Sequence, residues 1–298
     1  MKKGIFIASL PKELTLKEKM ELAKKAGFEG IELSIAGSGE LTEKCTASEL
    51  SAIRENADKI GIDILSVASG LNWQCSLSAT DKAVRELAKQ TVRNQIDIAK
   101  GLGVDAILML AGFVTIENSF AIRFPKNNSA YRPGDEVIDY EDAWDRTLEA
   151  LKELAPYAEE KGITMCVENV WNLFLLSPLE MRSLIDQVAS DYVGVYFDVG
   201  NVAVRGYPEH WIKALGQRIK RVHFKDFKRE TSQMFGFCDL LTGEIDYKAV
   251  MSALRGIGYD GWVTAEQDIS IQQPEYTIYS TSIAMDYILG KRGNDKNH

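Results

Sequence analysis

Four residues combine reactive side chains with an unusual setting. Glu168, Asp198 and Glu266 each follow directly on a short, mostly apolar run, Ile163-Thr164-Met165-Cys166-Val167, Gly194-Val195-Tyr196-Phe197 and Gly261-Trp262-Val263-Thr264-Ala265, and His223 follows the strand-like Lys220-Arg221-Val222. A run of that kind is buried in a folded chain, and a lone carboxylate carried in at its end costs several kcal/mol unless something pairs with it. Three carboxylates and an imidazole brought together repel one another without a cation. One divalent ion resolves the conflict, and an oxygen-rich set with a single nitrogen suits Mn²⁺, Mg²⁺ or Co²⁺ at least as well as Zn²⁺. The alternative is four separate salt bridges or strand-end caps. Four such groups on successive runs favour the shared ion, with Mn²⁺ the expected metal.

Such a set needs elements that aim successive strand ends at one place. Eight short apolar runs recur along the chain, at Gly4–Ser9, Gly30–Ser34, Asp63–Ala68, Asp105–Ala111, Ile163–Val170, Val193–Val199, Arg221–Phe227 and Gly261–Glu266. Amphipathic patterns separate them, such as Leu16–Ala26, Asp81–Leu102, Tyr140–Lys161 and Tyr247–Gly256. Nearly continuous apolar runs are what strands buried on both faces require. Gly27, Gly61, Gly103, Gly162 and Gly258 stand where helices stop, a position suited to the left-handed conformation. Strict alternation predicts an α/β fold with parallel strands, and eight units predict a (β/α)8 TIM barrel rather than an open doubly wound sheet. No Pro- or Ser-rich linker interrupts the pattern, so residues 1–298 are expected to form a single domain, with 291–298 a disordered tail. In a barrel of this type the residues at strand C-termini face the active-site mouth. Two long loops follow strands four and seven, Gly112–Asp139 with Asn127-Asn128-Ser129 and Arg132-Pro133-Gly134, and Lys228–Gly243. Loops of that length are usually lids or binding loops.

Composition narrows the function classes. The chain has 298 residues, 45% hydrophobic and 26% charged, with 35 basic and 43 acidic side chains for a net charge of −8. The apolar fraction is ample for a packed core. The acidic balance argues against coating nucleic acid. No apolar run reaches the ~20 residues that span a bilayer, and the N-terminus shows no signal peptide. A soluble cytoplasmic protein is expected. Cys45, Cys75, Cys166 and Cys238 form no C-x-x-C pair and read as reduced thiols in or near the core. Gly101-Leu102-Gly103-Val104-Asp105-Ala106 fits a dinucleotide fingerprint on paper, but it leaves a helix and enters a strand, the reverse of the required order. No nucleotide cofactor is expected.

The phrases Val167-Glu168-Asn169-Val170-Trp171-Asn172, Tyr196-Phe197-Asp198-Val199-Gly200-Asn201, Val222-His223-Phe224-Lys225-Asp226-Phe227 and Thr264-Ala265-Glu266 resemble the xylose isomerase-like TIM-barrel family of sugar isomerases and epimerases. The segments Ala8-Ser9-Leu10-Pro11-Lys12, Ala26-Gly27-Phe28-Glu29-Gly30-Ile31-Glu32 and Thr80-Asp81-Lys82-Ala83-Val84-Arg85 are similar to its branch containing L-xylulose-5-phosphate 3-epimerase. The resemblance implies metal ligation by Glu168, Asp198, His223 and Glu266, with Glu168 and Glu266 as the acid–base pair. Two features of the free-ketose epimerases are missing: Asn201 stands where a His is common, and Phe174 where a substrate-binding Glu would fall. An Arg six residues after the metal His is matched by Arg229. The family's DNA-repair endonucleases use a His-rich three-zinc site, which His210 and His223 alone cannot supply.

The chemistry implied is proton abstraction beside a ketose carbonyl, with a metal stabilising the enediolate and two carboxylates moving the proton. Return of the proton to the opposite face gives 3-epimerisation; return to the neighbouring carbon gives aldose–ketose isomerisation. Glu32, Trp73, Trp171, Asn201, Lys225 and Arg229 are further candidates for contacts to a sugar or sugar phosphate. Asp226 follows the metal His and is a weaker candidate. Ser78 through Asp81 reads as a helix cap that could receive a phosphate. An inosose-type dehydratase and a catalytically silent sugar-binding barrel are the alternative functions. Homo-oligomerisation is compatible with the sequence but no residue specifies it.

Overall fold

The computed structural model describes residues 1–114, 137–204, 206–229, 236–268 and 272–292. The elements follow in the order β1 (Lys2–Phe6), α1 (Leu16–Lys25), β2 (Gly30–Ile35), α2 (Ala47–Ile60), β3 (Asp63–Ser69), α3 (Lys82–Leu102), β4 (Ala106–Met109), α4 (Tyr140–Lys161), β5 (Thr164–Glu168), α5 (Pro178–Val188), β6 (Val193–Asp198), α6 (Val199–Ala203), α7 (Pro208–Leu215), β7 (Ile219–Phe224), β8 (Asp226–Phe227), β9 (Phe237–Cys238), α8 (Tyr247–Gly256), β10 (Trp262–Ala265) and α9 (Pro274–Leu289). The strands hydrogen-bond in the order β1-β10-β7-β6-β5-β4-β3-β2, and β2 returns to β1 to close the barrel. The expected (β/α)8 barrel is the observed fold. No helix among the described residues is long and apolar enough to cross a membrane.

Residue contacts group the chain into two units. The first comprises Met1–Leu33, Ala52–Leu65 and Phe197–His298. Within it, β1 runs parallel to β10 with Gly4 opposite Thr264, and β10 runs parallel to β7 with Thr264 opposite His223. Ile5, Ile31, Val222, Phe224, Val263 and Ala265 are buried along these strands. Gly4 is required by close packing: a Cβ there would fall 2.3 Å from Leu65 Cδ2. Lys3 is buried as well, and its ammonium donates to Ser282 Oγ at 3.0 Å and Asp286 Oδ1 at 2.5 Å on α9.

The second unit comprises Ser34–Ser51 and Ser66–Tyr196. Here β3, β4, β5 and β6 pair in parallel, with Val67 opposite Ile107, Leu108 opposite Cys166 and Glu168 opposite Tyr196. Gln95 reaches in from α3 and donates to the carbonyls of Val67 at 2.8 Å and Leu108 at 2.7 Å. Those bonds satisfy strand carbonyls that burial removes from water. Gly103 and Gly162 end α3 and α4 at φ 76° and 70°, a conformation that glycine adopts at little cost.

Several expected boundaries move, the first strand ending at Phe6 rather than Ser9 and the fifth at Glu168 rather than Val170. The strand expected over Arg221–Phe227 stops at Phe224, and Asp226–Phe227 pairs antiparallel with Phe237–Cys238 instead. Val199 leaves the sixth strand to open α6, because Asp198 caps that helix by accepting the Asn201 N–H at 2.7 Å. The fourth strand ends at Met109 rather than Ala111. Most of the loop at 112–139, including Asn127-Asn128-Ser129 and Arg132-Pro133-Gly134, lies outside the described residues, as do 230–235 of the second loop and 293–298 of the tail.

Candidate active site

His223 anchors the site. Alternate residues of a strand share a face, so His223 on β7 and its register partner Thr264 on β10 point the same way. Glu266, two residues beyond Thr264, extends that ladder through its N–H to the Phe224 carbonyl at 3.1 Å. The His223 ring is 1% exposed. Its Nδ1 lies 2.9 Å from Glu266 Oε2 and 3.8 Å from Asp198 Oδ2, while its Nε2 lies 3.0 Å from Glu32 Oε1. The Phe6 ring sits against the imidazole at 5.8 Å between centroids.

Lys225 supplies a cation to the same carboxylates. Its ammonium is 2.9 Å from both Asp198 Oδ2 and Glu266 Oε2, and 5.4 Å from the Phe237 ring centre. Its stem passes over α6, where a Cβ on Gly200 would fall 2.4 Å from Lys225 Cβ. Burial pushes the Asp198 carboxyl up in pKa, against the pull of Lys225. Burial acts the same way on Glu266, but Lys225 and His223 outweigh it and hold Glu266 at about 2. The difference follows from contact, since Glu266 meets both the ammonium and the imidazole at hydrogen-bond distance.

Glu168 ends β5, largely buried, opposite Tyr196 and so two residues along the strand from Asp198. Within the first unit, one oxygen or nitrogen from each of Asp198, His223 and Glu266 lies within 4.8 Å of the others. Carboxylates and an imidazole at that spacing form a donor set suited to a hard or borderline divalent cation.

Beside them a cavity of 320 Å³ is lined by Ser9, Lys225, Phe237, Cys238, Glu266 and Gln267, with Asp239 and Asp268 also on its wall. Of these, Ser9, Phe237, Cys238, Asp239, Gln267 and Asp268 were not singled out as site residues in the sequence. Gln267 and Asp268 directly follow Glu266, which is a usable signal. Phe237, Cys238 and Asp239 arrive through the β8–β9 hairpin, whose pairing has no local signature. Cys238 is half-buried rather than in the core, and all four thiols are free.

The secondary candidates have separate partners. Glu32 accepts from His223 and is wholly buried. Trp73 stacks on Phe113 at 5.7 Å, in a cluster with Leu110. Trp171 is half-buried just beyond β5. Asn201 donates its backbone N–H to the capping carboxylate of Asp198. Arg229 donates to the Gly206 carbonyl at 3.1 Å and lies over the Tyr207 ring. Asp226 takes the backbone N–H groups of Phe227, Leu241, Gly243 and Ile245 and thereby shapes its own loop. Ser78 is not a helix cap: it exchanges hydrogen bonds with the backbone of Phe113, and Asp81 caps α3. Phe174 is buried against Tyr140.

The match to known proteins runs nearly end to end. Residues 20–285 fit the xylose isomerase-like TIM barrel family. The chain belongs to that family. Among its relatives is a putative L-ribulose-5-phosphate 3-epimerase of Escherichia coli, 26% identical over 268 residues, covering 87% of this chain and 85% of the relative. An inosose dehydratase of Bacillus cereus is 24% identical over 217 residues, covering 67% and 70%. The crystal structure of a D-psicose 3-epimerase in the presence of D-fructose superposes with a TM-score of 0.77 at 20% identity, over 97% of this chain and 100% of the other. Membership of this xylose isomerase-like family accords with the strand-end placement of the carboxylates, since barrels of this architecture carry their chemistry at the C-terminal ends of the strands.

Proposed function

We propose that this xylose isomerase-like protein is a divalent-metal-dependent epimerase of ketoses that inverts C3 through a cis-enediolate. The observation that carries the reading is the gathering of Asp198, His223 and Glu266 beside a cavity of sugar-compatible size, with Glu168 at the end of its own strand. These four residues would hold the ion, Mn²⁺ being favoured by the donor set. When bound, it supplies Lewis-acid stabilisation to the charge that develops on the substrate oxygen. Glu168 and Glu266 are the acid–base pair: one accepts the C3 proton, and the other delivers a proton to the opposite face. Lys225, in ion-pair contact with Glu266, donates hydrogen bonds to anionic oxygen at that end of the site. Phe237 offers a ring face to sugar C–H groups. Asp239 and Asp268 stand on the cavity wall, where they can accept from substrate hydroxyls. The protein is assigned to cytoplasmic carbohydrate metabolism.

The test is deuterium wash-in followed by NMR, with Mn²⁺-loaded protein in D₂O and a panel of ketoses and ketose phosphates. The expected result is deuterium at C3 together with the epimer, lost in Glu266→Gln. Deuterium at C1 with an aldose product would make the enzyme an isomerase. Exchange by Glu266→Gln at the wild-type rate would remove Glu266 from the mechanism. The inosose dehydratase relatives support a second reading, in which the enolate expels a β-hydroxyl. Loss of one water in the product mass would identify it. The pair of intact glutamates at 168 and 266 argues against a silent sugar-binding barrel.

A further inference from the structure

We infer that Glu32 is the positioning residue for His223: it holds the hydrogen on Nε2 and so presents the Nδ1 lone pair to the ion. The inference rests on the metal reading above and adds a residue that does not itself ligate. Neutral imidazole has one N–H and one acceptor nitrogen, and the hydrogen bond at one nitrogen determines which is which.

The geometry assigns the roles. His223 Nδ1 faces the carboxylates, 2.9 Å from Glu266 and 3.8 Å from Asp198. His223 Nε2 faces Glu32 Oε1 at 3.0 Å. Carboxylates accept hydrogen bonds, so Glu32 and Glu266 each face a ring nitrogen at donor distance, and an ion taking the Nδ1 side leaves the Nε2 hydrogen held by Glu32. Both partners are sealed from water, Glu32 at 0% and His223 at 1% side-chain exposure. Glu32 is held in turn by the register of β2 on β1, where it stands opposite Phe6, whose ring also contacts the imidazole. Strand pairing therefore fixes the carboxylate, and the carboxylate fixes the ring. Carboxylate–imidazole–metal relays of this kind orient the ligand and raise its basicity.

The experiment compares wild type with Glu32→Gln and Glu32→Asp. It reads Mn²⁺ affinity by titration calorimetry and the His223 tautomer by ¹⁵N-correlated NMR on protein loaded with diamagnetic Mg²⁺. The chain has 3 histidines, so the resonances are few. Expected are an Nε2–H tautomer in wild type, a mixed or reversed tautomer in Glu32→Gln, and an Mn²⁺ Kd weaker by about 10- to 100-fold. Glu32→Asp, which keeps the charge on a shorter arm, falls between. A folded Glu32→Gln protein with an unchanged tautomer and unchanged Kd overturns the inference. If Glu32→Gln does not fold, Glu32→Asp decides by the same two readouts. A wild-type protein that binds no divalent ion defeats the metal reading, and an Nδ1–H tautomer in it defeats the role of Glu32 separately.

Discussion

Lys225 and a divalent ion answer the same electrostatic need, which makes Lys225→Met an informative variant. The ammonium stands 2.9 Å from Asp198 Oδ2 and 2.9 Å from Glu266 Oε2. At an effective dielectric of about 20, each contact is worth about 6 kcal/mol of Coulomb attraction. Desolvation of the three charges offsets most of this, and loss of one partner from a buried pair costs about 3–5 kcal/mol net. Met retains the stem that packs beside Gly200, so the change is mainly electrostatic. At about 2 °C per kcal/mol for a chain of this size, Tm of the metal-free variant should fall by about 6–10 °C. Saturating Mn²⁺ places charge among the same carboxylates, so the deficit should largely close. By linkage the variant must then bind Mn²⁺ more tightly, by about a hundredfold or more. Differential scanning fluorimetry with EDTA and with Mn²⁺, joined to calorimetric titration, measures all three quantities. An equal fall in Tm in both conditions, with unchanged Mn²⁺ affinity, would refute the view that lysine and ion serve the same charges.

Two further outcomes are expected. Gly243→Ala should destabilise the protein by about 2–4 kcal/mol in urea unfolding, because its Cβ would lie 2.2 Å from Asp226 Oδ1, whose carboxylate also holds the N–H groups of Leu241, Phe227 and Ile245. A loss below about 0.5 kcal/mol, the ordinary surface value, would show that the carboxylate does not organise that loop. Tyr140 is pushed up to about 12 by burial and by its hydrogen bond to Glu180. Its folded pKa lies above the unfolded value of about 10, so the folded state binds the proton more tightly and stability declines as pH rises from about 10 to about 12. Burial also raises Tyr247 and Tyr157, so absorbance at 295 nm should show several tyrosines ionising late, and Tyr140→Phe should remove the contribution near 12.

The barrel was legible in the residues because strand and helix signals are local. An apolar run such as Val193–Phe197 must be buried on both faces whatever surrounds it, and Gly103 or Gly162 marks a helix end through its own backbone freedom. The strand-end positions of Asp198, His223 and Glu266 were legible too, since each terminates such a run, and His223 and Thr264 pair in register on neighbouring parallel strands. The partners within the site were not legible. Glu32 read as a sugar contact, yet it meets His223 across 191 positions of sequence. Lys225 read as an anion-binding residue, and its ammonium bridges Asp198 and Glu266. Asp226, read with it, gathers loop amides, and the hairpin it supports carries Phe237 and Cys238 to the cavity wall. Periodicity determines which face a residue is on, because neighbours along the chain enforce it. Which polar atom it touches depends on barrel closure, strand register and the competition among buried charges for few partners, and these exist only in the tertiary structure.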